Sequence, residues 1–179
     1  QTRIDRFFYR DRYDYRRTLI EFGRTLSSEV NLERMLGSVL DRLSQTLLVD
    51  RMAIFLPDRE DGVGFRLIRS LGLNDREPLD LAFLRTNGGA DRGYLFYETL
   101  RNEEDLSPGA RRSLDQLDLH YYIPCRMQRR TVAFLGLGKT VDGDFLSTED
   151  VELLQTIAGY VAIAVENAEL YQSLEQKAR

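Results

Sequence analysis

The chain has 179 residues, of which 42% are apolar, and its 25 basic and 29 acidic side chains leave a net charge of −4. That length and apolar content fit one domain with an ordinary core, while the acidic balance argues against the domain as a whole neutralising nucleic-acid phosphates. A single cysteine, Cys125, rules out an internal disulfide framework and fits a reducing compartment. The longest apolar tract, VAIAV at 161–165, is too short to span a membrane, and no signal-peptide pattern is present. A cytoplasmic location is expected.

Residues 1–17 carry six arginines against three aspartates, with Phe7, Phe8, Tyr9, Tyr13 and Tyr15 interleaved. Such a segment can contact nucleic acid or lie against the inner face of a membrane with anionic lipids, and the solvated flank of a helix is the reading favoured. Phe8, Tyr15, Leu19, Phe22 and Leu26 fall at helical spacing and predict an entering helix. A second helix is expected from an Asn31 N-cap, with Leu32, Leu36, Val39, Leu43 and Leu47 on one stripe. RMAIFLPD reads as a strand stopped by Pro57, and VGFRLIRSLGL as its antiparallel partner across an acidic turn.

Residues 74–92 contain Pro78, LDLAFL and the NGG turn at 87–89, and read as a connection holding a short helix. GYLFYETL from Gly93 predicts a strand. Ser107 as N-cap and Pro108 at the first helical position start a short helix that buries Leu114 and Leu117. LHYYIPCRM and TVAFLGLGK then supply two strands around a basic turn.

The end of the second of these strands, Gly138, Lys139 and Thr140, spells the close of a P-loop. The glycine that motif needs five positions earlier is Ala133, the intervening residues alternate like a strand, and VDGD after Thr140 is turn chemistry. A strand ending in a turn is the reading adopted. The closing helix is capped by Ser147 with Glu149 and Asp150 in its first turn. Leu154, Ile157, Val161, Ala164, Ala168, Tyr171 and Leu174 then repeat at threes and fours. This seam resembles a heptad and predicts parallel pairing with a second copy, the alanines allowing close approach, while Leu153 and Val165 lie off it.

Taken together, the order of helices and strands predicts an α+β fold with helices on one face of an antiparallel sheet. In LERMLGSVLDRLSQTLLVDRMAIFLPD, YYIPCRMQRRTVAFLGLG and DFLSTEDVELLQTIAGYVAIAVENAELY the chain resembles a GAF domain, of the kind found in bacterial sensor histidine kinases and related signalling phosphatases. The last stretch is the most specific. It follows the family's F-S-x-E-D-x-E-L-L start, with Leu146 inserted before Ser147, and its A-x-A-I-x-N-A-x-L-Y exit, with Val165 at the isoleucine position. The resemblance implies a PAS-related sheet with N- and C-terminal helices on one face and a variable loop and short-helix region on the other. It also implies the division into an N-terminal signalling helix (1–28), the GAF domain (29–170) and the start of a linker to an output domain (171–179).

Functionally the resemblance implies a regulatory sensory and dimerisation module without catalytic residues of its own. It would form a homodimer through its terminal helices, bind an unidentified small ligand, and reach a membrane only through upstream segments of a longer protein. A ligand-free spacer is the alternative. A third reading is a cyclic-nucleotide site; against its N-K…F-x-x-x-D-E signature this chain has Gly138, Lys139, Phe145 and the order Glu149, Asp150, and a structural link from Lys139 to one of those acids accounts for the same residues. Strand parity nominates Tyr122, Val132 and Phe134 as facing the ligand side, with Tyr94 and Phe96 at its rim. His120 is the only histidine and lacks zinc-ligand spacing, so no metal site is expected. No cofactor is assigned, and Cys125, followed by Arg126 in a strand, reads as a core thiol.

Overall fold

A computed structural model describes residues 14, 16–60, 62–74, 77–85 and 93–178. Phe8, Tyr15 and the NGG turn lie outside them. A helix over 16–25 (α1) buries Leu19 and ends in a short 3₁₀ turn at Leu26–Ser28, where Leu26 is also buried. Helix α2, Leu32–Leu47, starts where Asn31 accepts the Arg34 backbone N–H at 3.0 Å and buries Leu36, Val39, Leu43 and Leu47 of the predicted stripe, with Leu32 partly buried. It stops at Leu48, whose left-handed φ of 55° turns the chain toward the sheet.

Five antiparallel strands follow: β1 (Met52–Pro57), β2 (Phe65–Leu71), β3 (Leu95–Phe96), β4 (Tyr121–Met127) and β5 (Arg130–Leu137), in the order β2-β1-β5-β4-β3. Between β3 and β4 lie α3 (Tyr97–Arg101) and α4 (Pro108–Leu117), and α5 (Thr148–Ala178) closes the chain. The sheet separates two cores. On one face Met52, Ile54, Leu56, Ile123, Cys125, Leu135 and Leu137 pack with α1, α2 and α5. On the other, Phe55, Phe65, Tyr122 and Phe134 pack with Leu81, Phe83 and Leu84 and with Leu114 and Leu117 of α4. The alternation of Ile54 with Phe55 and of Leu135 with Phe134 is the strand pleat sorting neighbours to opposite faces.

Two expectations in the middle of the chain are not met among the described residues. The described part of 74–92 holds a single turn, closed by the Leu84 N–H on the Leu81 carbonyl at 2.9 Å, and no helix. GYLFYETL is a strand for Leu95 and Phe96 alone and then coils into α3. Helical spacing brings Tyr97 and Arg101 to one face, and both hold Asp115 of α4: the Tyr97 hydroxyl donates at 2.6 Å and the Arg101 Nε at 3.1 Å.

The GKT stretch has a structural explanation. Gly138 follows the end of β5, its N–H donates to the Arg51 carbonyl at 2.9 Å, and a Cβ there would meet the Arg51 Cβ at 3.1 Å. Thr140 then closes the predicted turn with Gly143 and Asp144. At the start of α5 the Ser147 hydroxyl accepts the Asp150 N–H at 3.1 Å, and Leu146, the extra residue, donates its N–H to the buried Tyr121 hydroxyl at 3.1 Å.

Candidate functional site

The variable face is a helix and a loop fastened together. Ser107 caps α4 through the Ala110 N–H and donates to the Asp80 carboxylate, while the Asp80 N–H donates to the Ser113 hydroxyl at 2.7 Å. These bonds hold 78–84 against α4. Between 82–85, β3, α3 and the start of α4 a cavity of about 450 Å³ remains, with Phe83, Leu95, Leu100, Leu106 and Ala110 as its apolar wall and Arg85, Glu103, Asp105 and Ser107 as its polar edge. That size and mixture suit a small organic ligand. A second groove of about 510 Å³ runs along 77–80 and the outer side of α4.

The nominated residues do not come together there. Tyr122 and Phe134 do face the variable side, but as fully buried core: Tyr122 lies 5.4 Å from Phe83 and 6.0 Å from Phe55, and Phe134 packs edge-on to Phe65 at 4.9 Å. Tyr94 and Phe96 pack on the opposite face, against Tyr121. Pairing explains this, because Leu95 stands opposite Tyr122 and Phe96 opposite Tyr121, and directly opposed residues share a face. Val132 also joins the helix-side core. The ladder steps from Cys125–Ala133 to Arg126–Thr131, so Val132 is the extra residue of a bulge, which breaks the parity on which its assignment rested. The wall residues Phe83, Leu95, Leu100, Leu106 and Ala110 and the edge residue Arg85 were missed. The i,i+4 spacing of Tyr97 and Arg101 was the one local signal that α3, and hence this recess, replaces a longer strand.

Phe83 both lines the cavity and packs edge-on to Tyr122, so it separates the cavity from the sheet. Behind it the Tyr122 hydroxyl has no hydrogen-bond partner among the described residues, and burial holds its pKa well above the ordinary phenol range. An unpaired buried hydroxyl costs about 1–3 kcal/mol of desolvation. Tyr122→Phe is therefore expected to raise stability by roughly 1 kcal/mol, read as a higher urea midpoint at unchanged slope.

The lone histidine sits elsewhere. His120 is ringed by Phe96, Tyr97 and Phe145 at 5.3–6.3 Å. Its burial first, and the Lys139 charge second, push its pKa below the ordinary imidazole value against the pull of Asp118 and Glu98. Lys139 itself stands over the Phe145 ring at 4.6 Å, a cation–π contact. Cys125 is fully buried, and burial raises its thiol pKa, which leaves it a core side chain and a poor nucleophile.

A second surface lies on α5. Of the seam expected to meet a second copy, only the last two residues, Tyr171 and Leu174, are exposed, and Leu154, Ile157, Val161, Ala164 and Ala168 are buried within their own chain together with Leu153 and Val165. They pack on the sheet and α1 instead, and Gly23 of α1 comes so close that a Cβ would lie 2.9 Å from the Tyr160 ring. What α5 leaves exposed is Ile163 at 42%, Leu170 at 61% and Leu174 at 59%, with Tyr171 beside them. Glu166 on its flank is ion-paired to Arg130, the first residue of β5.

The chain is thus an α+β domain with terminal helices on one side of a five-stranded antiparallel sheet and the variable segment with its recess on the other. The GAF domain family model matches residues 31–167, and the chain belongs to that family. Among solved structures it is similar to the GAF domain of a putative sensor histidine kinase from Pseudomonas syringae pv. tomato, at 20% identity and a TM-score of 0.65, over 97% of this chain and 99% of that one. It is also similar to the GAF domain of a phosphoenolpyruvate-protein phosphotransferase from Coxiella burnetii, at 22% identity and TM-score 0.57 over 88% and 98% of the two chains. A GAF domain/HD domain protein from Geobacter sulfurreducens matches at 18% identity and TM-score 0.59, over 81% and 98%. At such identities these likenesses establish the fold. No curated protein matches the sequence. Among the described residues no helix is long and apolar enough to cross a membrane.

Proposed function

We propose that this chain is the sensory and dimerisation module of a bacterial signal-transduction protein, a sensor histidine kinase in the first instance, acting in the cytoplasm and without catalysis of its own. The observation that carries the proposal is α5. It is 31 residues long, its first half is core, and its exposed Ile163, Leu170 and Leu174 are spaced by seven and four, the repeat by which two helices pair. A ligand held in the 82–110 recess favours one setting of α3, α4 and β3. Because β3 pairs with β4 and α5 lies on β4 and β5, that setting reaches the helix that pairs and runs on to an output domain. The ligand shifts the equilibrium only by its difference in affinity for the two settings.

Light scattering on the purified chain at micromolar concentration is expected to give a dimer, and monomers alone would overturn the proposal. A thermal-shift screen with cyclic nucleotides, amino acids, haem and tetrapyrroles tests the sensory half. A ligand at a hundredfold excess over its Kd adds about 2.7 kcal/mol, which for a domain of this size raises Tm by roughly 5–10 °C.

One observation favours a second reading, a ligand-free spacer: the sheet surface beneath the variable segment is filled by Phe55, Phe65, Phe83, Tyr122 and Phe134. Dimers whose melting no compound moves, and with which nothing co-purifies in native mass spectrometry, would favour the spacer.

A further inference from the structure

We propose that the cavity between residues 82–85 and α4 takes a zwitterionic amino acid with an apolar side chain. The inference rests on the sensory reading above, and adds the class of ligand.

The cavity joins three kinds of surface. Phe83, Leu95, Leu100, Leu106 and Ala110 supply a wall that an aliphatic or aromatic group can cover. Arg85 supplies one positive charge and Glu103 and Asp105 two negative ones. The Arg85 Nε donates to the Ala82 carbonyl at 3.2 Å, which fixes the guanidinium at the edge. Among the described residues its Nη groups have no acceptor, and no ion pair joins Arg85 to Glu103 or Asp105. Ser107 is already committed as the cap of α4 and as donor to Asp80.

Charge matching decides among ligand types. A metal cation or polyamine would meet the carboxylates but also the guanidinium. A phosphate or dicarboxylate would meet Arg85 but also two like charges. A neutral apolar compound would cover the wall but leave all three exposed charges unmatched. A carboxylate and an ammonium on one carbon, followed by an apolar side chain, satisfy both signs and the wall at once, with the planar guanidinium suited to the carboxylate. At about 450 Å³ the cavity falls in the usual range for small ligands and has room for an aromatic side chain.

The probe is L-phenylalanine, titrated by calorimetry into the whole chain beside phenethylamine, which lacks the carboxylate, and 3-phenylpropanoate, which lacks the ammonium. Saturable binding is expected for phenylalanine, with each truncated analogue weaker by about tenfold or more, the usual loss when a charge-assisted bond is removed. Arg85→Gln and the double variant Glu103→Gln/Asp105→Asn change exposed side chains and are expected to fold normally by circular dichroism. Each should weaken phenylalanine by about tenfold or more.

Equal binding of the three probes, or phenylalanine binding untouched by both variants, overturns the proposal. Absent phenylalanine binding also overturns it, and the thermal-shift screen then separates two cases. If another compound stabilises the wild type but not Arg85→Gln, the sensory reading stands without the zwitterion. If none does, both fall.

Discussion

Replacing Phe134 with alanine is expected to lower the unfolding free energy by about 3–5 kcal/mol, the range for removing a fully buried aromatic. Phe134 sits on β5, the middle strand of the sheet, with no exposed surface. It stands opposite Phe55 on β1 and Pro124 on β4 and meets Phe65 edge-on at 4.9 Å. Backbone pairing on both sides keeps the strand from collapsing into the hole, so little of the loss is recovered by relaxation. A domain of ordinary stability holds 5–15 kcal/mol in all, and the urea midpoint should fall accordingly. The measurement bears on function as well. A sheet face that opens onto a ligand would lose only a solvated contact on truncation, within about 0.5 kcal/mol for a surface site, and would instead lose ligand affinity. A large loss places the recess at the edge of this core, beyond Phe83, and not on the sheet itself.

What the sequence revealed and what it concealed divide along a physical line. The caps at Asn31, Ser107 and Ser147 were legible because each is a bond between residues three apart, fixed by local geometry alone. The stripe of α2 was legible because burial on one side leaves a period, and β1 and β5, buried on both faces, were legible as apolar runs of strand length bounded by turn residues. The end of β3 was not, since an aromatic-rich run suits a strand, and its change to helix depends on Asp115, which Tyr97 meets 18 residues on. Val132 was misplaced because a bulge leaves no trace in the period of the residues around it. The recess was hidden for the same reason as β3: its wall comes from four separate stretches that only the fold assembles. On α5 the apolar seam was found, and the neighbour of its first five residues was mistaken. Periodicity says that a helix face is covered, and cannot say whether by its own sheet or by another chain.

That distinction yields the second large effect. Leu170→Glu is expected to leave the stability of the single chain within about 0.5 kcal/mol, as for other surface changes, because Leu170 is 61% exposed. Self-association should respond far more. In a two-fold interface each residue is present twice, so one substitution withdraws two leucines from burial, each contributing about 1.5–3 kcal/mol, and sets two carboxylates against an apolar seam already flanked by Glu166 and Glu169. A loss of roughly 3–6 kcal/mol weakens the dimer by about two to four orders of magnitude, enough to give monomers at micromolar concentration in sedimentation equilibrium. Ala164→Leu makes the opposing case. Ala164 is fully buried against its own sheet and helices, and added bulk there should cost about 1–3 kcal/mol of folding stability while leaving the association constant of the folded chain unchanged. Were Leu170→Glu to remain dimeric while Ala164→Leu dissociated, the pairing surface would be the inner seam, and α5 would have to leave the sheet to reach it.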